Sequence, residues 1–296
     1  MLLDKFYTRR DVALDFKRRT YALLGPDRPI HVVEPSVGGG AFIEDEDGIV
    51  AFDMKPEWFG AQEIDSTHPI FHDILRQQME RMGVSDMLFI GNPPFGKRGA
   101  LALKFVNGFL DVGGVVAFIL PNLFRRWSAQ SQIKPHARLL MDLDVPRGAF
   151  QLPDGTPYDV GCCFQVWSVR RADRQRLCSR LNNPPPATHP DFKMRRWNRQ
   201  GDMNRIFAGN WAFAVRCQGY VDYRVFLPGG SLPSDRAHYI LFEPANAEVE
   251  KKLRSIDFHA LSLGQTATPG FGATDVVRAY MRLGFQGSTR RGSAAG

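Results

Sequence analysis

Four short apolar runs constrain the fold of this chain more than anything else in it: HVVEP (31–35), GIVAFD (48–53), MLFIGN (87–92) and GGVVAFILP (113–121). They are rich in β-branched or aromatic residues and bounded by Gly or Pro. Runs of this kind predict strands of a parallel sheet, buried on both faces. Between them lie amphipathic stretches. ILRQQMERMG (74–83) stops at a glycine, and GALALKFVNGFLDVGG (99–114) puts Leu103, Val106 and Leu110 on one helical face. Alternating strands and helices predict an α/β sheet covered by helices on both faces. ARLLMDLDVP (137–146) and DVGCCFQVWSV (159–169) follow with no long helix between them, which predicts an antiparallel pair at the sheet edge.

The pattern changes near Arg170. The stretch RRADRQRLCSRLNNPPPATHP is polar and basic and contains Pro184-Pro185-Pro186, so 170–190 reads as an extended linker. It separates a first domain, 1–169, from a smaller one, 191–285, with a disordered tail over 286–296. In the smaller domain, WAFAVRCQGYVDYRVFL and HYILFEP read as strands and NAEVEKKLRSI as a helix. Charge divides along the same line. Residues 1–167 hold 18 Lys and Arg against 21 Asp and Glu; residues 168–296 hold 20 against 10. A net +10 on the shorter part suggests a polyanionic partner, most simply nucleic acid, with a solvated basic face as the alternative.

HVVEPSVGGGAF runs from a strand into Glu34-Pro35, then Gly38, Gly39 and Gly40, then Phe42. Glycines at the carboxyl end of a strand let a ligand approach the backbone, where open α/β sheets bind ligands. A plain tight turn explains the same glycines nearly as well. The next strand ends in Asp53, placed to accept from both hydroxyls of a ribose or, alternatively, to cap a helix. Asp73 in FHDIL can accept from an exocyclic amine or act as a helix cap.

In MLFIGNPPFGKRGA, Asn92-Pro93-Pro94-Phe95 ends a buried run. Two prolines give up two backbone donors and make a rigid corner. The Asn92 side-chain oxygen and the Pro93 carbonyl can converge on one amino group. Acceptors that hold both its hydrogens favour a pyramidal nitrogen and expose its lone pair, while Phe95 stacks on the flat ring that carries it.

With these residues in this order, the chain resembles class I S-adenosylmethionine-dependent methyltransferases, in the amino-methylating branch with an Asn-Pro-Pro-aromatic motif. EPSVGGGAF is similar to the cofactor motif E-P-x-x-G-x-G-x-F. DKFYTRRDVALDF resembles an N-terminal segment that often reads Tyr-Thr-Pro; Tyr7 and Thr8 match, and Arg9 stands where proline is usual. The resemblance implies a Rossmann-like sheet. It implies cofactor contacts from Tyr7, Thr8, Glu34, Pro35, Gly38, Gly40, Phe42, Asp53, Met54, Asp73 and Ile74. It also implies catalysis at Asn92, Pro93, Pro94 and Phe95. PRGAFQLPDGTPYDVGCCFQVW is similar to the segment whose aromatic meets the other face of a flipped base. Phe150 or Phe164 can take that part, and Phe150 is favoured because it precedes a loop. AFIEDED leaves barely two turns for the helix usual after the glycine loop.

The function expected is N6-adenine methylation of DNA with base flipping. A basic C-terminal domain fits target recognition, with Arg195 and Arg196 as nucleic-acid contacts; in the first domain Lys97, Arg98, Arg125 and Arg126 are placed to line the cleft mouth and contact phosphate, with a solvated surface charge as the alternative for each. The same chemistry on RNA is the nearest alternative. Protein-glutamine methylation is disfavoured by the basic segment. N4-cytosine methylation usually has Ser in place of Asn92. A non-catalytic nucleic-acid-binding module is disfavoured by the intact motifs. None of the four cysteines forms a CxxC pair, so neither a zinc site nor a disulfide framework is expected. With no secretory signal seen in MLLDKFYTRR, a reduced cytoplasmic protein is the expectation.

Overall fold

The structure is a computed structural model that describes residues 6–44, 48–198, 206–230, 237–263 and 269–288. The chain divides into two compact units, Met1–Asn182 and Asn183–Gly296.

In chain order the first unit comprises β1 (Tyr7–Thr8), α1 (Arg10–Leu24), β2 (Val32–Glu34), β3 (Val50–Asp53), β4 (Gln62–Glu63), α2 (Pro69–Met82) and β5 (Met87–Gly91). It continues with α3 (Ala100–Val112), β6 (Gly114–Pro121), α4 (Trp127–Gln130), β7 (Arg138–Asp144), β8 (Phe150–Gln151), β9 (Pro157–Tyr158) and β10 (Cys162–Ser168). Among the described residues, seven strands form one sheet in the order β4-β3-β2-β5-β6-β10-β7. Strands β4, β3, β2, β5 and β6 pair in parallel, and β10 runs antiparallel to both β6 and β7. This is an α/β fold with a mostly parallel sheet and an antiparallel edge.

Side-chain alternation along each strand explains the continuous apolar runs. Phe89 and Phe118 face α2 and α3, joining Phe71, Leu75, Phe105 and Phe109 in one core layer. Leu88, Ile90 and Ile119 face α1 in a second layer, where Phe16 stacks on Phe164 at 4.4 Å between ring centroids. Strand order reverses between β2 and β5. The loops leaving their carboxyl ends therefore diverge and open a crevice.

Helix α2 begins at Pro69, five residues before the apolar pattern suggests. His68 Nδ1 accepts from Ile70 N at 3.3 Å, and proline at the first helical position supplies the fixed φ a helix start needs. Directly after the glycine loop, residues 41–44 are not helical. Residues 41–42 continue its turns, and 45–47 lie outside the described residues. A three-stranded sheet, β1-β8-β9, pairs Tyr7 with Gln151 and Thr8 with Phe150. Arg9 N donates to Ala149 O at 2.8 Å, a bond that proline, usual here in the resembled segment, cannot make.

The basic stretch after β10 is not a linker over its first part. Arg170 Nη2 donates to Asp27 O, and Arg176 donates to Leu23 O, Leu24 O and buried Asp173. The Arg180 guanidinium donates to the carbonyls of Gln130, Ile133, Lys134, Pro135 and Ala137. Residues 170–182 thus belong to the first unit, and these arginines pair with backbone oxygens that the sequence gives no sign of. With the boundary at Asn183, the second unit holds 15 Lys and Arg against 9 Asp and Glu, net +6 rather than +10.

The second unit contains β11 (Phe192–Asn198), β12 (Phe213–Arg216), β13 (Val225–Phe226), β14 (His238–Pro244), α5 (Ala247–Arg254), α6 (Phe258–Leu263) and α7 (Ala273–Ser288). Its sheet is antiparallel, in the order β11-β14-β12-β13. Phe192, Phe213 and Phe242 pack against Leu253, Val276 and Tyr280 of the helices. Helix α7 runs through 286–288, the first three residues of the expected tail; the rest of that expectation, 289–296, lies outside the described residues. No described helix is long and apolar enough to cross a membrane.

Candidate functional site

The glycine loop is held from two sides. Val37 N donates to Phe52 O and Gly40 N to Val37 O, folding the loop against β3. The Asp53 carboxylate pins it: Oδ2 accepts from Gly38 N at 2.9 Å and Oδ1 from Lys55 N at 2.8 Å. Gly40 has φ +79°, and a Cβ there would lie 2.1 Å from the Trp58 ring, so only glycine fits. Tyr7 lies over the loop, close enough that a Cβ at Gly39 would touch its ring at 3.6 Å. Its hydroxyl donates to Glu57 Oε2 at 2.6 Å. The N-terminal strand thus crosses the crevice and is fastened on the far side.

Two adjoining cavities lie beneath it. The first, about 250 Å³, has apolar walls from Pro35, Met54, Ile64 and Phe105, and polar groups from Asp53, Asp65, Ser66 and Asn92. The second, about 280 Å³, is lined by Thr8, Arg10, Glu34, Ser36, Gly38 and Phe42 among others. Phe6, Tyr7, Ser36, Gly38 and Asn92 border both. Several polar atoms facing this space are buried without a hydrogen-bond partner: Glu34 Oε2, Ser36 Oγ, Ser66 Oγ and Asn92 Oδ1. Buried polar atoms are rarely left unpaired, so four around one crevice suit a polar ligand or ordered water there. Glu34 is 2% exposed. Its carboxyl is held well above the usual range, first by burial and then by the charge of Asp53, with Lys17 opposing. A cation in the second cavity would reverse that shift.

The Asn92-Pro93-Pro94-Phe95 corner stands where β5 delivers it, at the carboxyl end of the sheet's central strand pair. Asn92 Nδ2 donates to Thr8 Oγ1 at 3.1 Å, which leaves Oδ1 as the buried, unpaired acceptor. The Phe95 carbonyl accepts from both Leu101 N and Ala102 N, fixing the corner to the first turn of α3. The Phe95 ring meets Phe6 edge-on at 5.4 Å. Just beyond, Arg98 takes a left-handed backbone conformation with φ 55°.

Most residues singled out from the sequence converge here: Tyr7, Thr8, Glu34, Pro35, Gly38, Phe42, Asp53, Met54 and the whole corner line one or both cavities. Others fall elsewhere. Asp73 is 60% exposed on α2 and pairs with Arg76, and Ile74 is 41% exposed, so neither faces the crevice. Asp65, just past β4, lines the first cavity instead. Phe150 lies within β8, 1% exposed, and lines neither cavity; it packs beside Phe6, 5.0 Å away, and pairs with Thr8. Arg125 donates to Asp142 at 2.8 Å and Asp144 at 2.5 Å and is 17% exposed, so it is engaged within the sheet edge rather than offered to phosphate. Arg126 is partly buried beside it. Lys97 and Arg98 are exposed next to the corner. In the second unit, Arg196 is exposed, whereas Arg195 lies against the rings of Trp197 (5.5 Å) and Trp211 (4.8 Å).

Phe6, Arg10, Ser36, Asp65 and Ser66 were not legible as site residues. Asp65 carried a usable sign, since it ends an extended segment just before a helix, as Asp53 ends β3. Among the described residues, no cluster of His, Cys, Asp and Glu is arranged to hold a metal ion. No family model matches the chain, and no curated protein matches it.

Proposed function

We propose that the chain is an S-adenosylmethionine-dependent methyltransferase that modifies the N6 amine of adenine in DNA. The observation that carries this reading is Asn92 Oδ1: a buried, unpaired acceptor at a rigid proline corner, between a two-part cavity and an aromatic ring. The residues present fit the cofactor. The second cavity offers Glu34 to an ammonium and Arg10, whose guanidinium is 3.4 Å from Gly40 O, to a carboxylate. The first offers Asp53 to ribose hydroxyls, and Asp65 and Ser66 to an adenine edge, between apolar walls.

When bound, the cofactor supplies a methyl group activated by a positively charged sulfur. The protein's part is to present the acceptor nitrogen. Asn92 Oδ1 and the Pro93 carbonyl accept the two amine hydrogens, which draws the nitrogen lone pair out of conjugation with the ring. Phe95, fixed to α3 through its carbonyl, offers a flat face for the base. The base must leave the duplex to reach this depth, and Lys97 and Arg98 at the mouth suit the flanking phosphates. In the same reading the second unit, net +6, adds nucleic-acid affinity through Arg196 and neighbouring cations.

Calorimetric titration with S-adenosylmethionine tests the foundation. One-site binding is expected, lost or severely weakened in Glu34→Ala. Absence of binding to the intact protein would overturn the proposal.

A further inference from the structure

The N-terminal strand does more than cover the cavities; it meets the reactive corner. Phe6 touches Phe95, Tyr7 lies on the glycine loop, and Thr8 accepts a hydrogen bond from Asn92. Only the last of these contacts fixes the orientation of a reacting group. A primary amide has two near-isosteric ends, and rotating it by half a turn replaces the acceptor with a donor. In a crevice that must receive an N–H, the wrong end abolishes the interaction. Asn92 therefore needs an anchor that holds its side chain in one place at the crevice wall.

We infer that Thr8 is the positioning residue that anchors Asn92 with its amide oxygen turned into the cavity. Its Oγ1 takes Asn92 Nδ2 at 3.1 Å, and the amide oxygen is thereby turned into the cavity, where it is buried and unpaired. For this to work, Thr8 must itself be immobile. It is 8% exposed and sits in register with Phe150. The next residue adds the bond from Arg9 N to Ala149 O, and the Arg9 guanidinium donates to Gly148 O at 3.4 Å. The arginine in place of proline therefore tightens the strand that carries Thr8. The substrate amine never touches Thr8; the residue acts through Asn92.

This inference rests on the methyltransferase reading for its kinetic consequence but not for its geometry, and the two are tested separately. In the protein without cofactor, the Asn92 side-chain NH₂ pair is observed by nitrogen–proton NMR and assigned by its loss in Asn92→Ala. Thr8→Val is expected to shift that pair and speed its exchange with water, and Thr8→Ser to restore both. In turnover, Thr8→Val is expected to lower kcat at saturating cofactor by ~10-fold, the scale of one lost hydrogen bond at a reacting group, with cofactor Kd within about threefold. Thr8→Ser should recover most of the rate. Added to Asn92→Ala, Thr8→Val should cost no further rate, since the group it positions is gone. An unmoved NH₂ pair in folded Thr8→Val overturns the inference. So does a weaker cofactor Kd with kcat intact, because Thr8 would then serve the cofactor alone. If the NH₂ pair responds as expected while the wild type methylates no nucleic acid, the positioning role stands and the methyltransferase reading fails.

Discussion

Asp53→Asn is a minimal change in shape and a large one in chemistry. The carboxylate holds two backbone donors, Gly38 N at 2.9 Å and Lys55 N at 2.8 Å. An amide has one acceptor oxygen, so whichever bond it keeps, its NH₂ confronts the other N–H. One hydrogen bond to a charged acceptor is lost, worth ~1.5–3 kcal/mol. If Gly38 is the residue released, the loop that borders both cavities keeps only the Val37–Phe52 bond as its tie to β3. With ~1.4 kcal/mol per tenfold in Kd, cofactor affinity should fall by ~10- to 150-fold. Isothermal calorimetry reads this directly, and thermal unfolding separates it from general damage, since Asp53 is only partly buried and lies outside the main core layers. An Asp53→Asn protein that binds cofactor within threefold of the wild type would refute the role assigned to the carboxylate.

Gly40→Ala should be worse for the loop than for the fold: its φ of +79° and the 2.1 Å approach to Trp58 force the loop to move, so cofactor binding should be lost by calorimetry while the far-ultraviolet circular dichroism persists. Burial and Asp53 raise the Glu34 pKa, so wherever the carboxyl carries a proton the arrival of a ligand ammonium should expel it. Binding should therefore release a proton below its raised pKa, and affinity should rise with pH through that range; titrations in buffers of different ionisation heat measure the release, and proton uptake would contradict it. Arg180→Met should lower Tm by several degrees, because it removes a donor from five carbonyls of the first unit, of which, among the described residues, only those of Gln130 and Lys134 keep a backbone donor, at ~1–3 kcal/mol in total, yet leave nucleic-acid affinity unchanged. A variant with wild-type Tm and weakened DNA binding would return this arginine to the linker reading.

The parallel strands were legible because burial on both faces leaves a continuous apolar run, and the expected ranges agree with β2, β3, β5 and β6 to within two residues. The corner was legible because Asn-Pro-Pro-Phe is a rare local sequence. Asp65 was missed because β4 is only two residues long and carries no apolar run. Asp73 drew attention by position in sequence alone, and its side chain falls on the outer side of α2. The arginines at 170, 176 and 180 were misread because carbonyl oxygens distant in sequence decide whether a cation is solvated or docked. Strand β11 escaped for a related reason: FKMRRWN alternates charges with apolar residues only if one face of the sheet accepts arginine, as the Trp197 and Trp211 rings do for Arg195.

Methyl transfer itself can be followed by incubating the protein with isotopically labelled S-adenosylmethionine and either DNA or RNA, digesting to nucleosides and measuring the products by mass spectrometry, with Asn92→Ala in parallel. The proposal predicts labelled N6-methyladenine from DNA with the wild type. It predicts none above background with Asn92→Ala, although that variant still folds and binds cofactor. Label confined to RNA would move the substrate; label on cytosine, label on protein glutamine, or equal N6-methyladenine from both proteins would contradict the role given to the Asn92 corner.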